Sequence, residues 1–179
     1  MSNRYYALSG IFGPLIAYLS IAVSIVFSPW FSWERNALSD LGHSVKSGVA
    51  SVYNLGLLVA GFLLIVYAAT VFKEHAKYTS VFLVISSFML QLVATFDEVY
   101  GLLHFAVSLL FFILIGVSSI VYAVERRSSF AGVMFIVNFG SWILYGMRIY
   151  HAGIAVPETI SSLAAVLWII LSAVKILTD

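Results

Sequence analysis

The chain has 179 residues, of which 62% are apolar and 9% charged, with a mean hydropathy of +1.05. Soluble domains carry about a quarter of their residues as Asp, Glu, Lys and Arg, so this composition excludes an ordinary soluble domain and indicates an integral membrane protein. A formal net charge of +1 without a Lys/Arg run argues against nucleic acid as a partner, and the absence of cysteine removes disulfides, thiolate metal ligands and a cysteine nucleophile.

A helix needs about 20 apolar residues to cross the hydrocarbon core. The charges leave six intervals of that order, which begin at Tyr5, Ser47, Tyr78, Val99, Ser128 and Thr159. The expected fold is therefore all-α, a polytopic integral membrane bundle of six transmembrane helices. They form a single transmembrane domain over 1–179, with helices at about 7–29, 49–72, 79–96, 102–124, 129–149 and 158–177.

The first helix follows a lone Arg4 and is too long for a signal-peptide core, so it reads as a retained span that Pro14 should kink. Trp30, Phe31 and Trp33 suit the aromatic belt of an interface. The loop Trp33–Gly48 then concentrates Glu34, Arg35, Asp40, His43 and Lys46. Helix two carries Asn54 with the small residues Gly56, Ala60 and Gly61, helix three carries Gln91 and ends at Asp97-Glu98, and helix four starts near Gly101 or His104. Asn138, Gly140 and Gly146 mark helix five, and the pair Asn54-Leu55-Gly56 and Asn138-Phe139-Gly140 is a short echo of the kind an inverted repeat would leave. Buried amides such as Asn54, Gln91 and Asn138 should hydrogen-bond between helices. Pro157-Glu158 suits the start of helix six, where proline lacks only an unused amide and a carboxylate complements the helix dipole.

Alternating the loops puts Arg4, Lys73, Lys77, Arg126, Arg127 and Lys175 on one side and Arg35, Lys46 and Arg148 on the other. By the positive-inside rule both termini are cytoplasmic, which for a multi-pass protein of the cell membrane turns the Trp33–Gly48 loop outward. That outer face collects Glu34, Asp40, Asp97, Glu98, Glu158, His43, His104 and His151.

Asp97 and His104 are the candidate catalytic groups, because seven residues of helical spacing would put them on one face. A His–Asp pair serves acid/base chemistry, whereas Asp97, His104 and His151 together would suit a divalent metal such as zinc that acidifies water. Asp40 and Glu158 are the supporting carboxylates and Arg148 an anion or headgroup anchor. Glu34, Asn36, Ser39 and His151 complete the candidate substrate-binding set. The competing reading pairs Arg35 or Arg148 with Asp40, Asp97 or Glu158 to pin loops. No GxSxG, HExxH, Walker or GxGxxG motif occurs.

Asn36-Ala37-Leu38-Ser39-Asp40-Leu41-Gly42, with Tyr53-Asn54-Leu55-Gly56-Leu57 and Gly61, resembles the domain-of-unknown-function 998 family of archaeal and bacterial membrane proteins. Phe96-Asp97-Glu98, Leu103-His104-Phe105 and Phe111-Phe112 are similar to that family's second landmark. More distantly, the chain resembles the six-helix Frag1/DRAM/Sfk1 group. The resemblance implies six spans and an outer polar loop, with no activity to carry over. The expected function is binding of a lipid or other amphipathic molecule at the outer Asp/His/Glu site, with its modification left open, membrane lipids as partners and oligomerisation open. The alternative is a noncatalytic transporter or a structural, partner-binding membrane protein whose outer charges are ion pairs. Whether the chain is an enzyme stays open at this point.

Overall fold

The computed structural model describes residues 3–178, all in helices, turns and loops. Six long helices dominate: α1 (Ala7–Val26), α2 (Ala50–Tyr67), α3 (Lys77–Thr95), α4 (Leu102–Glu125), α5 (Ser129–Gly146) and α6 (Ala155–Thr178). Each is long and apolar enough to cross a membrane. The second span continues beyond α2 through a π-helical turn, Ala68–Phe72, and Lys73–His75. The chain is thus a multi-pass membrane protein built as an all-α bundle.

The helix ends follow local chemistry. Where a helix to residue 29 is expected, α1 stops at Val26, because Pro29 disfavours helical backbone at Ser28. The freed amides of Phe27 and Ser28 bond Val23 O at 3.1 Å and Ile25 O at 3.0 Å. Pro14 stands inside α1 without ending it. α5 stops at Gly146 rather than 149, and Arg148 behind it takes a left-handed φ of 56°. α6 starts at Ala155, so Pro157 lies within the first turn, where helix amides have no intrahelical acceptor.

Consecutive helices pack side by side and α1 closes the ring against α6. Apolar attraction gives little drive for helix association in lipid, so close approach at small residues matters more. Gly61 of α2 shows why: a Cβ there would lie 2.6 Å from Gln91 Cγ and 2.8 Å from Ser87 O on α3. At the end of the bundle that carries the termini, Phe72 stacks on Tyr122 at 5.7 Å and Tyr122 on Trp168 at 5.2 Å. The Tyr67 hydroxyl and Ser172 Oγ close that cluster at 2.8 Å.

Candidate functional site

The opposite end is organised by the segment between α1 and α2. Asp40 lies in a 3-10 turn, Leu38–Gly42, and its Oδ2 accepts Ala37 N–H at 3.0 Å and Asn36 Nδ2 at 2.8 Å, which ties the turn to itself. Asn36 O accepts Ala155 N–H at 2.9 Å, and Trp33 O accepts Gly153 N–H at 2.8 Å. Loop one is therefore zipped by backbone to the start of α6. Gly153 permits this, since a Cβ there would sit 2.5 Å from Asn36 O and 2.9 Å from Asn36 N. On the other flank, Asn54 of α2 donates its Nδ2 to Gly42 O at 2.8 Å.

This plug lays two hydrogen-bond donors, a backbone amide and a hydroxyl, onto the bundle interior. Leu38 N–H donates to Glu158 Oε2 at 2.6 Å, and Ser39 Oγ donates to Glu98 Oε1 at 2.5 Å. Glu158 is only 8% exposed, and among the described residues no Lys or Arg pairs with it. Glu98 follows Asp97 in a 3-10 turn that ends at Gly101, whose φ of 54° starts α4 in a new direction and is a conformation open mainly to glycine.

His104 sits in the first turn of α4 and is 6% exposed. Its Nδ1 lies 2.7 Å from Phe96 O. A carbonyl oxygen only accepts, so Nδ1 carries the proton and Nε2 is turned to the interior. There Nε2 meets Ser108 Oγ at 3.3 Å and Glu98 Oε1 at 3.5 Å. Most helical serines in this chain, among them Ser118, Ser161 and Ser172, return their hydroxyl to a carbonyl three or four residues back. Ser108 turns to His104 instead.

Two cavities meet at this cluster. One, of about 410 Å³, lies between α4, α5 and the start of α6, with apolar walls that include Phe105, Leu109, Phe112, Ile113, Phe139 and Trp142. Its polar end is Ser39, Glu98, His104, Ser108 and Glu158. The other, about 90 Å³, runs inside the ring past Tyr18, Tyr53 and Phe111. Ser39, Ser108, Phe112 and Glu158 line both.

The expected site residues thus divide. His104, Ser39 and Glu158 converge. Asp97 does not join His104: its Oδ2 accepts Ser44 N–H at 3.1 Å and its Oδ1 accepts Val99 N–H at 2.9 Å. The two positions are separated by the left-handed Gly101, so the assumed continuous helix face does not exist. Asp97 is a clasp between loop one and the α3–α4 turn. Burial alone would raise its carboxyl, but these hydrogen bonds, from Ser44 and Val99, outweigh it and hold the group below the ordinary 3.8. Asp40 and Asn36 are likewise spent within loop one. Glu34, Arg148 and His151 line a separate basin at the rim with Arg35. Among the described residues no three His, Asp or Glu side chains form a metal-holding group, so Asp97, His104 and His151 do not meet as ligands. Nor do Arg35 and Arg148 pair with Asp40, Asp97 or Glu158. The acid partner of His104 is Glu98, which sequence spacing passed over in favour of its neighbour. Its signal was the Gly101 turn, which reverses which of the two acids faces α4.

Fold and site together define a multi-pass six-helix membrane protein with a partly buried His–Glu–Ser cluster at one end. The chain belongs to the family described as Protein of unknown function (DUF998), whose model matches residues 11–175. No curated protein and no solved structure matches the chain.

Proposed function

We propose that this protein binds an amphipathic molecule, with an apolar chain lying along Phe105, Phe112 and Trp142 and a polar group held by Ser39, Glu98, His104 and Ser108. The observation that carries this is the cavity of about 410 Å³ with aromatic and aliphatic walls, a polar end and the side chain of Asn138 along one wall. Ligand sites commonly have this size and pattern of apolar walls with a few convergent polar groups. His104 Nε2 offers an acceptor when neutral and a donor when protonated, so it can pass a proton to or from the bound polar group while Glu98 balances the charge. Placement in the cell membrane with both termini cytoplasmic, which the Lys/Arg count favours, would open the site toward the outer leaflet.

The test uses a variant in which Trp142 is the only tryptophan, purified in detergent and titrated with a dibrominated fatty-chain amphiphile. Saturable quenching near one equivalent, lost in Ile113→Phe combined with Leu109→Phe, is the expected result. Unsaturable quenching, or no effect of filling the cavity, contradicts the proposal. The orientation is checked separately, because the chain lacks cysteine. Lys46→Cys should react with an impermeant maleimide from outside intact cells and Lys73→Cys should not.

A transporter is the second reading, favoured by the residues that the two cavities share. It predicts that Phe112→Ala in proteoliposomes raises flux of the bound amphiphile between leaflets, whereas a binding protein leaves flux unchanged.

A further inference from the structure

Beyond the apolar cavity, the rim basin carries chemistry of its own. Its volume is about 820 Å³, and Arg35, Arg148, His151, Tyr145, Tyr150 and Glu34 line it. Arg35, Arg148 and His151 are exposed at the mouth. Neither guanidinium has a hydrogen bond or ion pair among the described residues, although Glu34 stands in the same basin. Two arginines and a histidine line this one hollow, and the guanidinium fork matches the paired oxygens of a phosphoryl group. The walls are fixed: Tyr150 donates its hydroxyl to Ser141 O at 3.2 Å, and its ring lies 6.3 Å from that of Tyr145.

Arg148 is held in place by the end of α5. Its N–H bonds Tyr145 O at 2.9 Å and Ile149 N–H bonds Leu144 O at 3.1 Å, a left-handed helix cap in which glycine is the usual residue. Here an arginine occupies that position with φ 56°. The basin begins one turn beyond Trp142 on α5, beside the backbone bonds from Gly153 N–H to Trp33 O and from Ala155 N–H to Asn36 O, and it shares no lining residue with the apolar cavity.

We propose that Arg35 and Arg148, with His151, form a phosphoryl-anion site at the rim of the bundle. The phosphoryl group belongs either to a lipid headgroup or to a free phosphate. The site does not depend on occupancy of the apolar cavity.

The test measures thermal stabilisation of the purified full chain in nanodiscs of digalactosyldiacylglycerol, a lipid without phosphate, in two arms. One adds inorganic phosphate, and the other replaces a fifth of the lipid with phosphatidic acid. The variants are Arg148→Gly, which suits the left-handed backbone and so keeps the fold, and Arg35→Gln. The proposal expects an upward Tm shift for the wild type in at least one arm, reduced by half or more in each variant and abolished in the double variant. A shift with phosphatidic acid alone assigns the headgroup, and a shift with inorganic phosphate in the pure galactolipid assigns the free anion. No shift in either arm, or an equal shift in the double variant, overturns the site.

Discussion

α2 and α5 carry the same tripeptide pattern, Asn54-Leu55-Gly56 and Asn138-Phe139-Gly140, yet they are packed in opposite ways. Half of the α2 span is buried inside the bundle, against 17% of α5. On α2 a Cβ at Gly61 would strike the backbone of α3, whereas a Cβ at Gly140 of α5 would meet nothing within 4 Å. Asn54 fastens loop one at 2.8 Å, while Asn138 reaches Ser161 O only at 3.4 Å and leaves its buried Oδ1 without a partner. The α1–α2–α3 side is thus a scaffold closed by small residues, and α5 is a loosely held wall of the larger cavity. The same polar triplet therefore says little about role until its neighbours are known.

The largest expected effect separates the two walls directly. Gly61→Leu would force its side chain into Ser87 O and Gln91, and overpacking of this kind costs about 1–3 kcal/mol or more. Gly140→Ala should instead stabilise by about 0.5–1 kcal/mol, because only the helix entropy of glycine changes. Reversible unfolding in mixed micelles measures both, and equal losses would break the comparison.

Next in size is the joint between the walls. Glu98→Leu removes the acceptor of Ser39 and the partner of His104, and hydrogen bonds to charged groups contribute about 1.5–3 kcal/mol. The expected outcome is lower thermal stability together with loss of amphiphile binding, while Glu98→Gln keeps most stability and loses binding. If Glu98→Gln binds normally, the His104–Glu98 pair is only structural.

Gly153→Val should unzip loop one from α6 by collision with the Asn36 backbone. Faster amide exchange at Ala155 and Gly153, with α2 protection unchanged, is the predicted signature.

The smallest effect is set by pH. The Asp97 carboxyl lies below 3.8 in the folded chain, so its contribution is complete above the unfolded value and is lost as pH falls through the lowered one. Stability of loop one should therefore drop only in acid below about pH 4, and Asp97→Asn should flatten that drop. Proteolysis within residues 43–48 across this range reads it out.

Six spans and a polar plug at one end were legible from the charge-free intervals and the cluster around Asp40, because hydrocarbon thickness leaves few other ways to arrange such a chain. His104 was legible as an ionisable group at a helix mouth. What could not be read was the division of labour among the acids. Asp97, Glu98, Asp40 and Glu158 look alike in sequence, but two are consumed by backbone amides within the turns and two face the cavities. That choice is made by the left-handed Gly101 and by the docking of Leu38 and Ser39, both tertiary in origin. Arg148 was legible as an anion anchor, but that Arg35 lines the same basin was not, because the two lie on separate loops that only the tertiary fold joins.

The most direct measurement is a crystal structure grown in a lipidic mesophase with a bromine-labelled fatty-chain amphiphile. The account predicts anomalous bromine density between Phe105, Phe112 and Trp142, with the polar group within hydrogen-bond distance of His104 Nε2. An empty cavity under saturating amphiphile, or a chain bound with its polar group turned away from His104 and Glu98, would contradict it.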